Sequence, residues 1–323
     1  MALEKTIEAI MTFYKKPPKH GYFVPMSQLG TPCERKLWVA FRWLKKDTIT
    51  PALQRIFNDG FRIEAEVLDE LKRIYPDAVT HDEEGKQIFV KGEGILAHLV
   101  GAQDVEFPTG TLDNPSEPTT CDVKSAKNDK WVKMSEGGVA SVAPEYLDQL
   151  ILYMGYRGTK RGFLIVRNKD NAKLYTEWVE FSQERFELLK KRASMIIGRP
   201  IPPRKRFEGR GWGSPCKFCH QYRVCHGLEL AEVSCRTCKF SEPVSGGFWR
   251  CNLHKKPLNK AAQEAACASH RYIDDLLAPF EVIAQEHDAM LLYHPVAKQE
   301  VAYGGVDGVT SHELFERFRD EQL

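Results

Sequence analysis

Charge of one sign is missing from this sequence: 46 lysines and arginines stand against 44 aspartates and glutamates, a formal net charge of +2. No global field advertises a nucleic-acid partner, so binding of that kind must come from local patches. Also missing is any apolar run long enough to cross a bilayer, and the opening MALEKTIEAIMTFYKK is amphipathic and charged, unlike a signal peptide. The expectation is a soluble, cytoplasmic chain with no membrane partner. There is no internal repeat and no low-complexity tract, which excludes solenoids and disordered arrays. Cysteine is nearly absent from the first 200 residues, which hold only those at 33 and 121. The other seven, at 216, 219, 225, 235, 238, 251 and 267, crowd into 52 residues. In a reducing cytosol such crowding points to metal ligands or redox groups rather than disulfides.

What is present divides into four stretches. Residues 1–20 read as a short helix stopped by KKPPKH. Residues 21–230 mix helical and strand-like patterns, as an α/β unit does. FNDGFRIEAEVLDELKRIY carries an apolar face of Phe57, Phe61, Ile63, Val67, Leu68 and Leu71. KQIFVKG, LAHLVGAQDVEF and TTCDVKSAK read as strands, the last two neighbours across the turn-rich stretch 108–118. A helix APEYLDQLILYMGYRG, strands RGFLIVRNK and KLYTEWVEF, and a helix SQERFELLKKRASMIIG complete the unit. Residues 233–275 form a small cysteine-rich module. Residues 276–323 hold a turn-rich segment around GGVDG and a final helix capped by Thr310-x-x-Glu313.

Chemistry concentrates in CDVKSAK. Strand alternation puts Asp122 and Lys124 on one face and leaves Cys121, with Val123, on the other as a small buried hydrophobe. A carboxylate and an ammonium so placed suit phosphodiester hydrolysis, the acid holding a hard cation and the lysine steadying water or developing charge. Alone, such a pair is common on solvated strands. Asp104, 18 residues earlier at the end of an apolar strand, is able to converge with it. Glu64 interrupts an apolar neighbourhood on its helix, four residues after Gly60. Gln149 and Tyr153 share a helix face at i, i+4.

In order, helix with Gly60–Glu64, strand with Gly101–Asp104, strand with Asp122-Val123-Lys124 and helix with Gln149–Tyr153, the chain resembles the RecB-type branch of the PD-(D/E)XK nucleases. The resemblance covers roughly residues 20–230. It implies a restriction-endonuclease-like core, a mixed central sheet flanked by helices. It implies that Glu64, Asp104, Asp122 and the Val123 carbonyl hold Mg²⁺ or Mn²⁺. Lys124 would serve the nucleophile and the scissile phosphate, and Gln149 and Tyr153 would contact DNA or brace the site. Two departures are Glu64, where many relatives carry His, and Asp122, where Glu is commoner.

Cys216-x2-Cys219-x5-Cys225, with Cys33 as a distant fourth, suits zinc or an iron–sulfur cluster; chemistry alone does not choose. The arrangement, with SQLGTPCERKLW around Cys33, is similar to that of CRISPR-adaptation nucleases and the AddB subunit of bacterial recombination nucleases, and that likeness implies a [4Fe–4S] cluster. Its expected role is a staple closing a long loop around every catalytic motif. The basic linker with Arg204, Lys205, Arg206 and Arg210 either tracks phosphates or is a solvated arm.

Cys235-x2-Cys238-x12-Cys251 opens like a zinc knuckle. The fourth ligand is Cys267, His254 or His270, with Cys267 preferred and His270 placed behind it. Arg236, Lys239, Trp249 and Arg250 are candidate contacts to DNA or a partner. The combined expectation is a divalent-metal-dependent deoxyribonuclease, an exonuclease on single strands or DNA ends, working in phage or bacterial recombination, repair or processing with helicase or recombination partners. The alternative is a catalytically silent DNA-binding or assembly protein on the same fold; a third reading makes residues 233–275 an interaction module.

Overall fold

A computed structural model describes residues 4–207, 209 and 214–319. Its main sheet has four strands, β2 (Val105–Phe107), β3 (Thr119–Ala126), β4 (Arg161–Asn168) and β5 (Leu174–Glu180), in that spatial order. β3 and β4 run parallel, and both outer pairings are antiparallel, so the sheet is mixed. A parallel neighbour needs a crossover, and the chain supplies one through helix α2 (Pro144–Arg157). Helix α1 (Pro51–Ile74) covers the other face: its Val67 and Leu71 pack with Val105, Phe107, Cys121, Val123 and Ile165. Cys121 is fully buried there, as alternation required.

The long α1 starts where chemistry favours a start. Thr50 caps it, its hydroxyl accepting from the Leu53 amide at 3.2 Å, and Pro51 takes the first turn. Its expected apolar face is only half covered. Ile63, Val67 and Leu71 are buried, but Phe57 is 40% and Phe61 63% exposed. Periodicity finds the apolar stripe; the neighbours decide how much of it is covered.

LAHLVGAQDVEF is not one strand. It opens with a 3-10 turn (Gly94–His98), then forms β1 (Leu99–Gln103), breaks at Asp104, and resumes as β2. β1 lies in a separate sheet between Val24–Pro25 and Ile88–Lys91, whereas β2 joins the main sheet beside β3. Asp104 is the residue at which the chain changes sheets, so its side chain is released from strand alternation.

Helix α3 (Gln183–Gly198) packs against α2 through Phe186, whose ring lies on Gly155 and Tyr156. The cysteine-rich stretch forms a three-stranded antiparallel sheet, Ser241–Val244, Phe248–Cys251 and Lys256–Leu258, and residues 281–304 form a second. Both join one apolar core with the α/β unit, in which Trp249, Tyr272 and Leu292 meet Trp38, Phe41 and Leu150. Between them lie two buried arginines. Arg42 stacks on Trp38 and Trp249, and Arg236 stacks 3.9 Å from the Trp43 ring centre while donating to the Tyr22 and Phe41 carbonyls. The expected capping box at Thr310 and Glu313 is present on the helix Ser311–Phe318. No described helix is long and apolar enough to cross a membrane.

Candidate active site

β3 brings Asp122 and Lys124 to the middle of the sheet. Asp122 is fully buried, and the Lys124 side chain keeps 19% of its surface. Lys124 Nζ lies 2.5 Å from Asp122 Oδ2, an ion pair between a buried acid and a mostly covered ammonium. From the sheet break, Asp104 turns inward and its Oδ2 accepts from the Val123 amide at 2.7 Å. That bond ties the second acid to the strand bearing the first. From α2, Gln149 Nε2 donates to Asp122 Oδ1 at 3.2 Å and to Tyr153 Oη at 2.7 Å. Tyr153 Oη in turn donates to the Ala102 carbonyl at 2.7 Å. The i, i+4 pair therefore bridges β1 to β3. Gly101 makes this possible: a Cβ there would stand 2.5 Å from Tyr153 Cε1 and 2.9 Å from Met26 Sδ.

Three carboxyls crowd one ammonium. Burial pushes the Asp104 carboxyl well above the usual carboxylate range; Asp122 and Glu64 push it further, against Lys124. Glu64, half-buried on α1, is raised by burial and by Asp122, with Lys124 opposing. Burial works against the Lys124 charge, but Asp122 and Asp104 outweigh it and hold the ammonium above its ordinary value. Such an excess of buried negative charge over one ammonium fits a hard cation with oxygen ligands. Among the described residues, no three histidine, cysteine or carboxylate side chains are already drawn together closely enough to hold an ion.

Two cavities open on this centre. One, of about 360 Å³, is lined by Phe61, Glu64, Asp104, Lys72 and His81. The other, of about 400 Å³, is lined by Phe61, Glu64, Lys124, Tyr146 and Lys169. Tyr146 and Lys169 escaped sequence reasoning. Tyr146 had a signal, lying three residues before Gln149 on the same helix face; the Lys124 ammonium sits 5.5 Å from its ring centre. Lys169 had none, since it reaches the cavity only because β4 lies parallel to β3, where its amide bonds to the Ala126 carbonyl.

Apart from Cys121, the cysteines fall in two neighbourhoods, in neither of which the described side chains are drawn together closely enough to hold an ion. Cys33 caps the helix Glu34–Phe41, and Cys216, Cys219 and Cys225 sit on the short turns Pro215–Phe218 and Tyr222–Cys225. Cys33, Cys216 and Cys219 line one cavity with Lys36. Burial pushes the Cys219 and Cys225 thiols up, neighbouring thiols add to it, and Arg35 opposes it at Cys225. Arg204, Lys205 and Arg206 are exposed, and Arg206 donates to the Pro32 carbonyl at 3.0 Å; Arg210 lies outside the described residues.

In the second group, burial and then Cys238, Cys267 and Cys251 push the Cys235 thiol up to about 12. His254 Nε2 lies 3.6 Å from Cys267 Sγ, and the His254 amide donates to Cys251 Sγ at 3.4 Å. His270 instead commits its Nε2 to the Ser234 carbonyl and the Thr237 hydroxyl. Two expected surface contacts are corrected: Arg236 and Trp249 are 3% and 1% exposed, because they fill the core beneath the module. Lys239 and Arg250 are exposed, Arg250 pairing with Glu242 at 2.6 Å.

No family model and no curated protein matches this chain. Among solved structures it is similar to the protein crystallised as SSO0001, at 14% identity and TM-score 0.42, covering 70% of this chain and 96% of that one. It is also similar to an alkaline exonuclease, LHK-Exo, from Laribacter hongkongensis, at 14% identity and TM-score 0.36, covering 58% and 90%. A phage related exonuclease from Haemophilus somnus 129PT aligns at 11% identity and TM-score 0.31, covering 43% and 68%. Likenesses this remote assign no chemistry; the site geometry must carry it.

Proposed function

We propose that this chain is a PD-(D/E)XK-type deoxyribonuclease that hydrolyses phosphodiester bonds with Mg²⁺ or Mn²⁺, acting as an exonuclease on single strands or DNA ends. The observation that carries the reading is the bond from the Val123 amide to Asp104 Oδ2, which sets one acid beside Asp122 and Lys124. Glu64, Asp104, Asp122 and the Val123 carbonyl would hold the metal, which supplies Lewis-acid polarisation of the phosphate and a more acidic water. Lys124, kept charged by its two acids, orients the nucleophile and meets charge developing on the phosphate oxygens. Gln149 and Tyr153 fix the Asp122 carboxylate through the relay to Ala102. They are positioning residues rather than DNA contacts, since both are buried.

The thiol groups extend the proposal. Cys33, Cys216, Cys219 and Cys225 would carry a [4Fe–4S] cluster, and Cys235, Cys238, Cys251 and Cys267 a zinc ion, with His254 beside Cys267. Mutual crowding of the thiols supports this donor set, because a bound cation would neutralise thiolates that otherwise repel one another. A place in phage or bacterial recombination, beside a helicase, follows from the family resemblance alone. The decisive assay supplies Mg²⁺ or Mn²⁺ and follows linear and single-stranded DNA, with iron and zinc counted in anaerobically purified protein. Degradation that persists unchanged in Lys124→Ala and Asp122→Ala would sink the site assignment.

A further inference from the structure

We infer that the cavity on the Lys124 side takes one unpaired nucleotide of a DNA strand, its base stacked on Phe61 and Phe57 and its phosphate facing Lys124 and Lys169. The inference rests on the nuclease reading for the identity of the strand and goes beyond it in naming the recognition device. Helix α1 leaves Leu53, Ile56, Phe57 and Phe61 at 38%, 54%, 40% and 63% exposure on the stripe that runs to Glu64. An apolar stripe of this kind, continuous with a charged cleft, marks a binding surface. Gly60 lies within it, and a Cβ there would meet nothing within 4 Å. Glycine weakens a helix interior, and no packing partner requires it here; the space it leaves belongs to the cavity.

The opposite wall is cationic and polar. Lys124, Ser125 and Lys169 face the aromatic stripe across the same cavity. Aromatic platform on one side and basic groups on the other is the layout that reads single strands, because an unpaired base offers its face and its backbone separately. A duplex keeps both faces of each base inside its own stack. Phe61 also lines the second cavity with Glu64 and Asp104, so the helix edge at Phe61 and Glu64 is the border shared by the two. A strand crossing that border places a phosphate beside the acids while the neighbouring base rests on the ring.

The test uses full-length protein in chelator, where cleavage is arrested, and an oligonucleotide ending in 2-aminopurine, single-stranded or as a blunt duplex. Stacking should quench the fluorophore on the single strand only. Phe61→Ala should weaken single-strand binding about tenfold and abolish the quench, leaving duplex binding unchanged. Gly60→Leu, which fills open space, should block the single strand without lowering Tm. Equal affinity and equal quenching in Phe61→Ala would overturn the inference. So would concentration-dependent dimerisation lost in Phe61→Ala with oligonucleotide binding intact, since the stripe would then join copies of the chain. Phe61-dependent quenching without any cleavage in Mg²⁺ or Mn²⁺ would sink the nuclease reading alone; cleavage with Phe61-independent binding would sink this one alone.

Discussion

The acid centre and the thiol groups hold their ligands in opposite ways. Asp104, Asp122, Gln149 and Tyr153 are locked by bonds to one another and to the strands, through the Val123 amide and the Ala102 carbonyl. The cysteines sit in or beside turns of three or four residues, at a helix end or at a strand end, and burial and neighbouring thiols together raise several of them. Bonds to the scaffold fix the acids before any ion is bound, whereas on the proposed reading the thiols would be fixed by the metal itself. Loss of a side chain should therefore cost rate at the acid centre and stability at the thiols.

The largest effect tests that division directly. Asp122→Asn, which removes one of the crowded carboxylates, should lower the cleavage rate about 10²- to 10³-fold without lowering Tm; Lys124→Ala should lower the rate as far but also lower Tm, since it strips buried carboxyls of their counter-charge. Cys33→Ala should do the reverse of Asp122→Asn. It would release the proposed tie between residue 33 and residues 216–225, worth about 5 kcal/mol by analogy with closing a loop of that size. Denaturant melts with iron counted alongside would check this; an iron-free variant as stable as the parent would break the comparison. Next, Gly101→Ala should destabilise by about 1–3 kcal/mol, because the new methyl meets the Tyr153 ring.

pH sharpens the comparison further. A carboxyl raised in the folded state favours folding at pH below its unfolded value of about 3.9 and loses that contribution as pH rises through its folded value. Asp104 is raised by burial, Asp122 and Glu64. In chelator, Asp104→Asn should therefore melt higher than the parent at neutral pH, with the gap closing toward pH 4; saturating Mn²⁺ should invert the order. The smallest effect is Gly60→Ala, a gain of about 0.5–1 kcal/mol in thermal stability. Two glycines of neighbouring motifs thus carry opposite signs, one required by the fold and one left open for a ligand.

Much of the acid centre was legible because it rests on local periods. Alternation separated Asp122 from Cys121, and helical spacing paired Gln149 with Tyr153. The sheet change at Asp104 was not legible, since hydropathy reads an apolar run and cannot see its pairing partners switch. Nor was the burial of Arg236 and Trp249: an arginine beside paired cysteines resembles a phosphate contact until the aromatic cage around it is known. Phe61 failed in the other direction, a core-like residue on a core-like stripe that the described residues leave 63% exposed.

The stacked arginines carry a consequence for synthesis. Arg42 donates to the Arg236 carbonyl across 194 residues, and Arg236 donates back to Phe41. At ribosomal speeds of about 5–20 residues per second, the early aromatic shell waits roughly 10–40 s for its last member. Through that interval the sides of Phe41 and Trp43 that receive Arg236 lack their native cover, although His20 and Tyr22 already pack on Trp43.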